Sequence, residues 1–119
     1  MPKRILIVDD ELAAGEALER SLNYMGFETY FCSNGNQALL HIQGGEYNTP
    51  QLIITDMKMP QMNGLELTKI SKIESPNLPV IIMTGQPDLI PEENPADEIV
   101  KKPFDFKFLF EKVNKLINY

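Results

Sequence analysis

Five short runs of apolar or β-branched residues are spread along the chain, and stretches with a different periodicity separate them. Each run is about four to six residues long, a length that suits β-strands better than helices. Most runs are apolar throughout, which is typical of parallel strands covered by helices on both faces. The predicted strands cover residues 4–8, 27–32, 52–55, 80–83 and 98–101.

Apolar residues three or four positions apart fill most of the intervals and predict helices. Asn34 and Asn63 are suited to cap two short helices, and Asp105 to cap the last one. Strands that alternate with helices through right-handed crossovers form a parallel sheet, so we expect a doubly wound α/β fold. The helical stripes are Ala14, Leu18, Leu22 and Met25; Ala38, Leu39 and Ile42; Leu67, Ile70 and Ile73; Phe106, Leu109, Phe110, Val113 and Ile117.

The fourth connection, "GQPDLIPEENPAD" at residues 85–97, departs from this pattern. Prolines recur every four residues, at Pro87, Pro91 and Pro95. A proline inside a helix removes a backbone hydrogen bond at a cost of about 3 kcal/mol. We therefore expect a short or irregular fourth helix.

Composition and charge favour a globular protein and argue against several classes of ligand. With 119 residues, 43% of them hydrophobic and 24% charged, the chain fits one domain, residues 1–119, of an ordinary globular protein. Its net charge of −6 argues against direct binding to nucleic acid or to an anionic membrane surface. Cys32 is the only cysteine, and neither a secretory signal nor a membrane-length apolar run is present, so we expect a cytoplasmic protein.

Polar residues occur where the predicted strands end. Asp9 and Asp10 follow the first strand, Asp56 the third, Thr84 the fourth and Lys102 the fifth. In open parallel sheets, binding sites form at the carboxyl ends of the strands. These five side chains should therefore share one edge of the sheet, although they are far apart in sequence.

Three neighbouring carboxylates repel one another unless a cation lies between them. An all-oxygen ligand set selects a hard ion, so we expect Mg²⁺, or Mn²⁺ in its place. Lys102 adds a positive charge suited to a phosphoryl oxygen, and Thr84 adds a hydroxyl donor. Phosphoryl transfer depends mainly on positioning and charge neutralisation, so this set predicts that Asp56 accepts a phosphoryl group.

Four motifs, "ILIVDDE", "DMKMP" with the following Gly64, "VIIMTG" and "KKPF", occur in order along nearly the whole chain. In this the chain resembles the receiver domains of two-component response regulators. The resemblance implies a flavodoxin-like sheet of five parallel strands in the order 2-1-3-4-5. It also implies these site residues: Asp56 as phosphoacceptor; Asp9, Asp10, Asp56 and the carbonyl of Lys58 as metal ligands; Thr84 and Lys102 as the switch hydroxyl and lysine, with a cis bond from Lys102 to Pro103.

The function that the resemblance implies is a phosphorylation-dependent signalling switch. Its phosphodonor would be a sensor histidine kinase or a histidine phosphotransfer protein, and an unidentified downstream protein would read the phosphorylated surface. The chain would not be an enzyme with a separate substrate, although it would assist its own phosphorylation and dephosphorylation. Two features depart from the family pattern: Ile99 stands where an aromatic residue is usual, and the interval from Thr84 to Lys102 is short.

Two other functions are compatible with the sequence. A degenerate receiver would bind proteins without being phosphorylated, and Ile99 and the irregular connection favour it. A metal-dependent phosphohydrolase would carry its aspartate nucleophile in an Asp-x-Asp pair on the first strand, whereas Asp9 and Asp10 are adjacent. The sequence also leaves open whether the chain is a single-domain regulator or a receiver from a longer protein.

Overall fold

The computed structural model, which describes residues 3–43 and 49–117, contains a sheet of five parallel strands in the order β2-β1-β3-β4-β5. This is the strand order expected for a flavodoxin-like fold, and the resemblance is confirmed on this point. The central strands β1, β3 and β4 are buried along almost their whole length. The strands are β1 Arg4–Val8, β2 Glu28–Cys32, β3 Leu52–Asp56, β4 Val80–Thr84 and β5 Glu98–Lys101.

Within the described residues, four α-helices cover the two faces of the sheet. They are α1 Leu12–Tyr24, α2 Gly35–Gln43, α3 Gly64–Glu74 and α4 Phe106–Ile117. Helices α1 and α4 enclose one apolar cluster, in which Leu22 and Leu109 are fully buried. Helices α2 and α3 enclose the other cluster, to which they contribute Ala38 and Leu67. Alternate residues of each strand point to opposite faces, so continuous apolar runs are needed to fill both clusters.

The predicted helix starts at Asn34 and Asn63 are confirmed. The Asn63 side chain accepts a hydrogen bond of 2.8 Å from the Glu66 backbone nitrogen, and the Glu66 carboxylate accepts one of 3.1 Å from Asn63 N. This reciprocal pair is a capping box. Asn34 Oδ1 accepts a 2.9 Å bond from Gln37 N in the same way.

Two residues of the predicted helical stripes are exposed instead of buried. Met25 lies just beyond the end of α1 and is 42% exposed. Ile73 is 78% exposed because the buried face of α3 passes through Leu67 and Ser71, and two residues beyond Ser71 the helix has turned by about 200°. Ile73 lies within α3 and Met25 is the C-cap residue of α1, so the predicted helices are confirmed, and both side chains are exposed because the apolar spacing continues past the part of each helix that meets the sheet.

The structure describes every residue of the connection from β4 to β5. These residues form one 3₁₀ turn, Pro87–Leu89, and no α-helix. Ile90 follows the turn and is buried in the same apolar cluster as Leu67. Asn94 then stabilises the chain locally, since its side chain donates to the Pro91 carbonyl at 2.8 Å and accepts from Ala96 N at 3.0 Å. The expected short or irregular fourth helix is confirmed. No helix in the described part of the chain has the length and apolarity needed to cross a bilayer.

Asp97 fixes the register where this irregular connection ends. Its carboxylate accepts hydrogen bonds from Val80 N at 2.8 Å and from the Lys72 ammonium at 2.7 Å. Lys72 also donates to the Leu78 carbonyl at 2.8 Å. One side chain therefore joins the end of α3 to the starts of β4 and β5.

We expect Asp97→Ala to lower the free energy of unfolding by about 1 to 2 kcal/mol, because Val80 N and the Lys72 ammonium lose a charged acceptor. Glu93→Ala, which removes an exposed acid from the same connection, is the matched control and should change it by less than about 0.5 kcal/mol. Urea unfolding followed by circular dichroism measures both. Equal stability of the two variants would contradict a role for Asp97 in holding β4 and β5.

Candidate functional site

The carboxyl ends of β1, β3, β4 and β5 meet at one edge of the sheet, as the sequence predicted. Asp9 and Asp10 follow β1, and Asp56 is the last residue of β3. One carboxylate oxygen from each of these three acids lies within 4.8 Å of the other two. Strand pairing produces this cluster, because β1 and β3 are hydrogen-bonded neighbours in the sheet.

Lys102 supplies a positive charge inside the cluster. Its Nζ donates to Asp56 Oδ1 at 2.7 Å, and the Asp56 side chain is only 13% exposed. The Lys102 backbone nitrogen donates to the Thr84 carbonyl at 2.8 Å, which extends the pairing of β4 and β5 by one residue. The peptide bond from Lys102 to Pro103 is cis, as the resemblance implied.

Asp9 is the most deeply placed of the three acids, with 2% of its surface exposed. Burial is the main cause that raises the pKa of its carboxyl, and the nearby charges of Asp56 and Asp10 raise it further. The Glu11 backbone nitrogen donates to Asp9 Oδ1 at 2.9 Å, and this bond and the Lys102 ammonium act in the opposite direction. Burial and charge therefore act together on Asp9, in a cluster where three carboxylates face the one ammonium of Lys102 among the described residues.

Thr84 is almost fully buried at the end of β4. Its Oγ1 accepts a 3.0 Å hydrogen bond from Gln86 N. A hydroxyl has one proton to donate and two lone pairs, so this bond leaves the Thr84 proton free to be donated elsewhere. Thr84 lines a cavity of about 310 Å³ together with Asp56, Lys58, Gly85, Gln86 and Lys102.

The loop after β3 returns closely over Asp56. Gly64 N donates to the Met57 carbonyl at 2.8 Å, and Gln61 adopts a left-handed conformation with φ of 68°. A Cβ atom on Gly64 would lie 2.5 Å from the Asp56 carbonyl oxygen, so only glycine permits this approach. The loop places Lys58, two residues after Asp56, in the lining of the cavity.

Sequence reasoning found every side chain of this cluster and missed two backbone donors. The nitrogens of Glu11 and Gln86 hold Asp9 and Thr84 in place. A backbone N–H has no residue-type signature, so the sequence carries no signal for these contacts. The three carboxylates offer oxygen ligands close together, and the loop after β3 offers backbone carbonyl oxygens beside them. Oxygen ligands of this kind suit a hard divalent cation.

The family model described as response regulator receiver domain matches residues 5–114. Sporulation initiation phosphotransferase F of Bacillus subtilis is 36% identical over 98% of this chain and 95% of that protein. Response regulator MprA of Mycobacterium sp. (strain KMS) is 32% identical over 98% of this chain, and the match spans only 51% of MprA, about half its length.

Among solved structures, response regulator TrrA of Thermotoga maritima, in complex with Mg²⁺-BeF, is 35% identical and has a TM-score of 0.87. The match covers 96% of this chain and 98% of TrrA. The chain therefore belongs to the response regulator receiver domain family of two-component signalling.

Asp9→Asn should raise the thermal unfolding midpoint of the metal-free protein at neutral pH. The amide keeps an acceptor for Glu11 N and removes a buried charge. Folding raises the pKa of Asp9 above 3.8, its pKa in the unfolded chain. Protonated Asp9 therefore contributes fully to the stability of the fold below pH 3.8, and this contribution is lost as the pH rises through the pKa of Asp9 in the folded protein.

The gain from Asp9→Asn should therefore shrink as the pH is lowered toward 3.8, which scanning calorimetry across a pH series measures. A variant less stable than wild type at neutral pH without metal would contradict this electrostatic account.

Proposed function

We propose that the chain is a signalling switch that accepts a phosphoryl group on Asp56. The observation that carries the proposal is the ion pair between Lys102 Nζ and Asp56 Oδ1. Both residues line a cavity that Thr84 also lines. A carboxylate beside an ammonium and a hydroxyl donor is equipped to receive an anionic group. Similarity to TrrA, whose solved structure is a complex with Mg²⁺-BeF, supports the same site.

A divalent cation, Mg²⁺ or Mn²⁺, would be held by the carboxylates of Asp9, Asp10 and Asp56 and by the Lys58 carbonyl. When bound, it supplies neutralising charge to the oxygens of the phosphoryl group. The three acids fit it because their oxygens lie within 4.8 Å of one another and no protein cation other than Lys102 contacts them among the described residues.

Three side chains of the protein take part directly in the phosphoryl transfer. A carboxylate oxygen of Asp56 forms the new bond to phosphorus, and the bond from phosphorus to the donor's histidine nitrogen breaks. Lys102 moves its contact from the carboxylate toward a phosphoryl oxygen. Thr84 donates its free proton to another phosphoryl oxygen while its Oγ1 can still accept from Gln86 N.

Movement of Thr84 then carries the change to the surface. Its bond with Gln86 connects the hydroxyl to the start of the 3₁₀ turn, so displacement of Thr84 alters residues 86–89. Ile99 is half-buried beside that connection, in the cluster that contains Ile90, and no aromatic ring occupies its position. The altered surface is read by a downstream protein.

The phosphodonor is a sensor histidine kinase or a histidine phosphotransfer protein, as for the family in general. Similarity across almost the full length of sporulation initiation phosphotransferase F supports a phosphorelay role. The chain acts as a phosphoacceptor in the cytoplasm, not as an enzyme with a separate substrate. We assign residues 1–119 to one receiver domain.

We propose that this chain makes no direct contact with nucleic acid. DNA-binding response regulator MtrA of Mycobacterium leprae is 32% identical, but the match spans only 50% of that protein. The net charge of −6 also disfavours contact with phosphates. Binding to an anionic membrane surface is disfavoured for the same reason.

A degenerate receiver, which binds partners without being phosphorylated, is the alternative. The irregular connection between β4 and β5 favours it. The complete set of three acids, Thr84 and Lys102 in one cluster favours phosphorylation. The two functions predict different covalent states of Asp56.

Incubation with acetyl phosphate and Mg²⁺ should add one phosphoryl group to the protein, detected by intact-mass spectrometry. Asp56→Asn and a chelator should each abolish the adduct, because they remove the acceptor and the divalent cation. Asp88→Asn, an exposed acid on the 3₁₀ turn, is the control and should be phosphorylated like wild type. An unmodified wild-type protein under these conditions would favour the degenerate receiver.

Thr84→Ser and Thr84→Ala separate phosphorylation from the response to it. Both variants should form the Asp56 adduct. Only Thr84→Ser should show the phosphorylation-dependent amide shifts at Gln86 and Leu89 in NMR spectra, because it keeps the hydroxyl that connects Asp56 to the turn. Wild-type-like shifts in Thr84→Ala would exclude the hydroxyl as the connecting group.

A further inference from the structure

Two asparagine–glycine pairs occur in the chain, Asn34–Gly35 and Asn63–Gly64, and each pair begins a helix. Asparagine is a chemically labile residue, and a following glycine has no side chain of its own to shield its backbone nitrogen. The two pairs are chemically alike in the unfolded chain. The folded structure makes them different.

We propose that Asn34 is a site of spontaneous deamidation in the folded protein and that the structure protects Asn63. In this reaction the Gly35 nitrogen loses its proton and attacks Asn34 Cγ. A bond from nitrogen to Cγ forms, the side-chain amide bond breaks and ammonia leaves. Water then opens the cyclic imide to aspartate or isoaspartate, so one water is consumed and no oxidant or reductant is needed.

The nitrogen of Gly64 is held away from this reaction. It donates to the Met57 carbonyl at 2.8 Å, and this bond must break before the nitrogen can attack Asn63. Asn63 is also fixed by the capping box with Glu66, through bonds of 2.8 and 3.1 Å. Attack at Asn63 therefore requires the Gly64 bond to Met57 to break and the Asn63 side chain to leave the Glu66 nitrogen.

The Asn34–Gly35 pair is held less firmly. The Gly35 nitrogen donates no hydrogen bond to any residue that the structure describes. The Asn34 side chain accepts one bond, from Gln37 N at 2.9 Å, and its carbonyl accepts from Ala38 N at 3.2 Å. Release of the single Gln37 bond frees Cγ for attack by the neighbouring nitrogen.

The product would change a contact near the phosphoacceptor loop. A Cβ on Gly35 would lie 2.5 Å from Met62 Sδ, so Gly35 is packed directly beneath that loop residue. Isoaspartate lengthens the backbone at position 34 and displaces the capping oxygen. We expect the isoaspartate form to unfold about 4 °C lower than the unmodified protein, the shift typical of one lost helix cap.

The experiment incubates the intact chain at mildly alkaline pH, folded and in urea, and measures both conversions by peptide mass spectrometry. In urea the two pairs should convert at comparable rates. In the folded protein Asn34 should convert roughly tenfold faster than Asn63, a ratio that corresponds to about 1.4 kcal/mol, near the net value of one backbone hydrogen bond. Asn34→Ser keeps a capping oxygen, cannot form the imide and should show no loss of thermal stability on ageing.

Equal or faster conversion of Asn63 in the folded protein would overturn the proposal. Retention of both asparagines in the folded protein, while the urea sample converts, would overturn it as well. Neither result depends on phosphorylation of Asp56, so this inference stands or falls separately from the proposed function.

Discussion

Electrostatic imbalance at the edge of the sheet is the constraint on which this structure depends. Among the described residues, oxygens of three carboxylates lie within 4.8 Å of one another, and one ammonium, that of Lys102, contacts the cluster at Asp56. The cluster therefore keeps an excess of negative charge, part of it on Asp9, which is almost completely buried. Such an arrangement destabilises the fold in the absence of a neutralising charge and is compatible with binding of a divalent cation.

The rest of the fold keeps this cluster together against its own repulsion. Parallel pairing of β1 with β3, of β3 with β4 and of β4 with β5 fixes the strand ends that carry Asp9, Asp56, Thr84 and Lys102. Burial of β3 and β4 on both faces makes displacement of those ends costly. Stability from the apolar core thus compensates for charge repulsion at the site, as is common at functional sites.

The sequence predicted the sheet and the site side chains because both have local signals. Buried parallel strands require continuous apolar runs, and a polar residue after such a run marks the strand end. Met25 and Ile73 continue the apolar spacing of their helices but are exposed, because apolar spacing does not reveal where a helix leaves the sheet. The triple contact of Asp97 and the backbone donors of Glu11 and Gln86 depend on tertiary position, which no local pattern records.

A crystal structure of this chain with Mg²⁺ and beryllium trifluoride tests the central claim most directly, because that anion resembles a phosphoryl group in shape and charge. The account predicts a metal ion bound by the clustered acids and the Lys58 carbonyl, with the anion on Asp56 and the Lys102 ammonium against it. A metal ion bound elsewhere, or Lys102 directed toward solvent beside an occupied Asp56, would contradict the account.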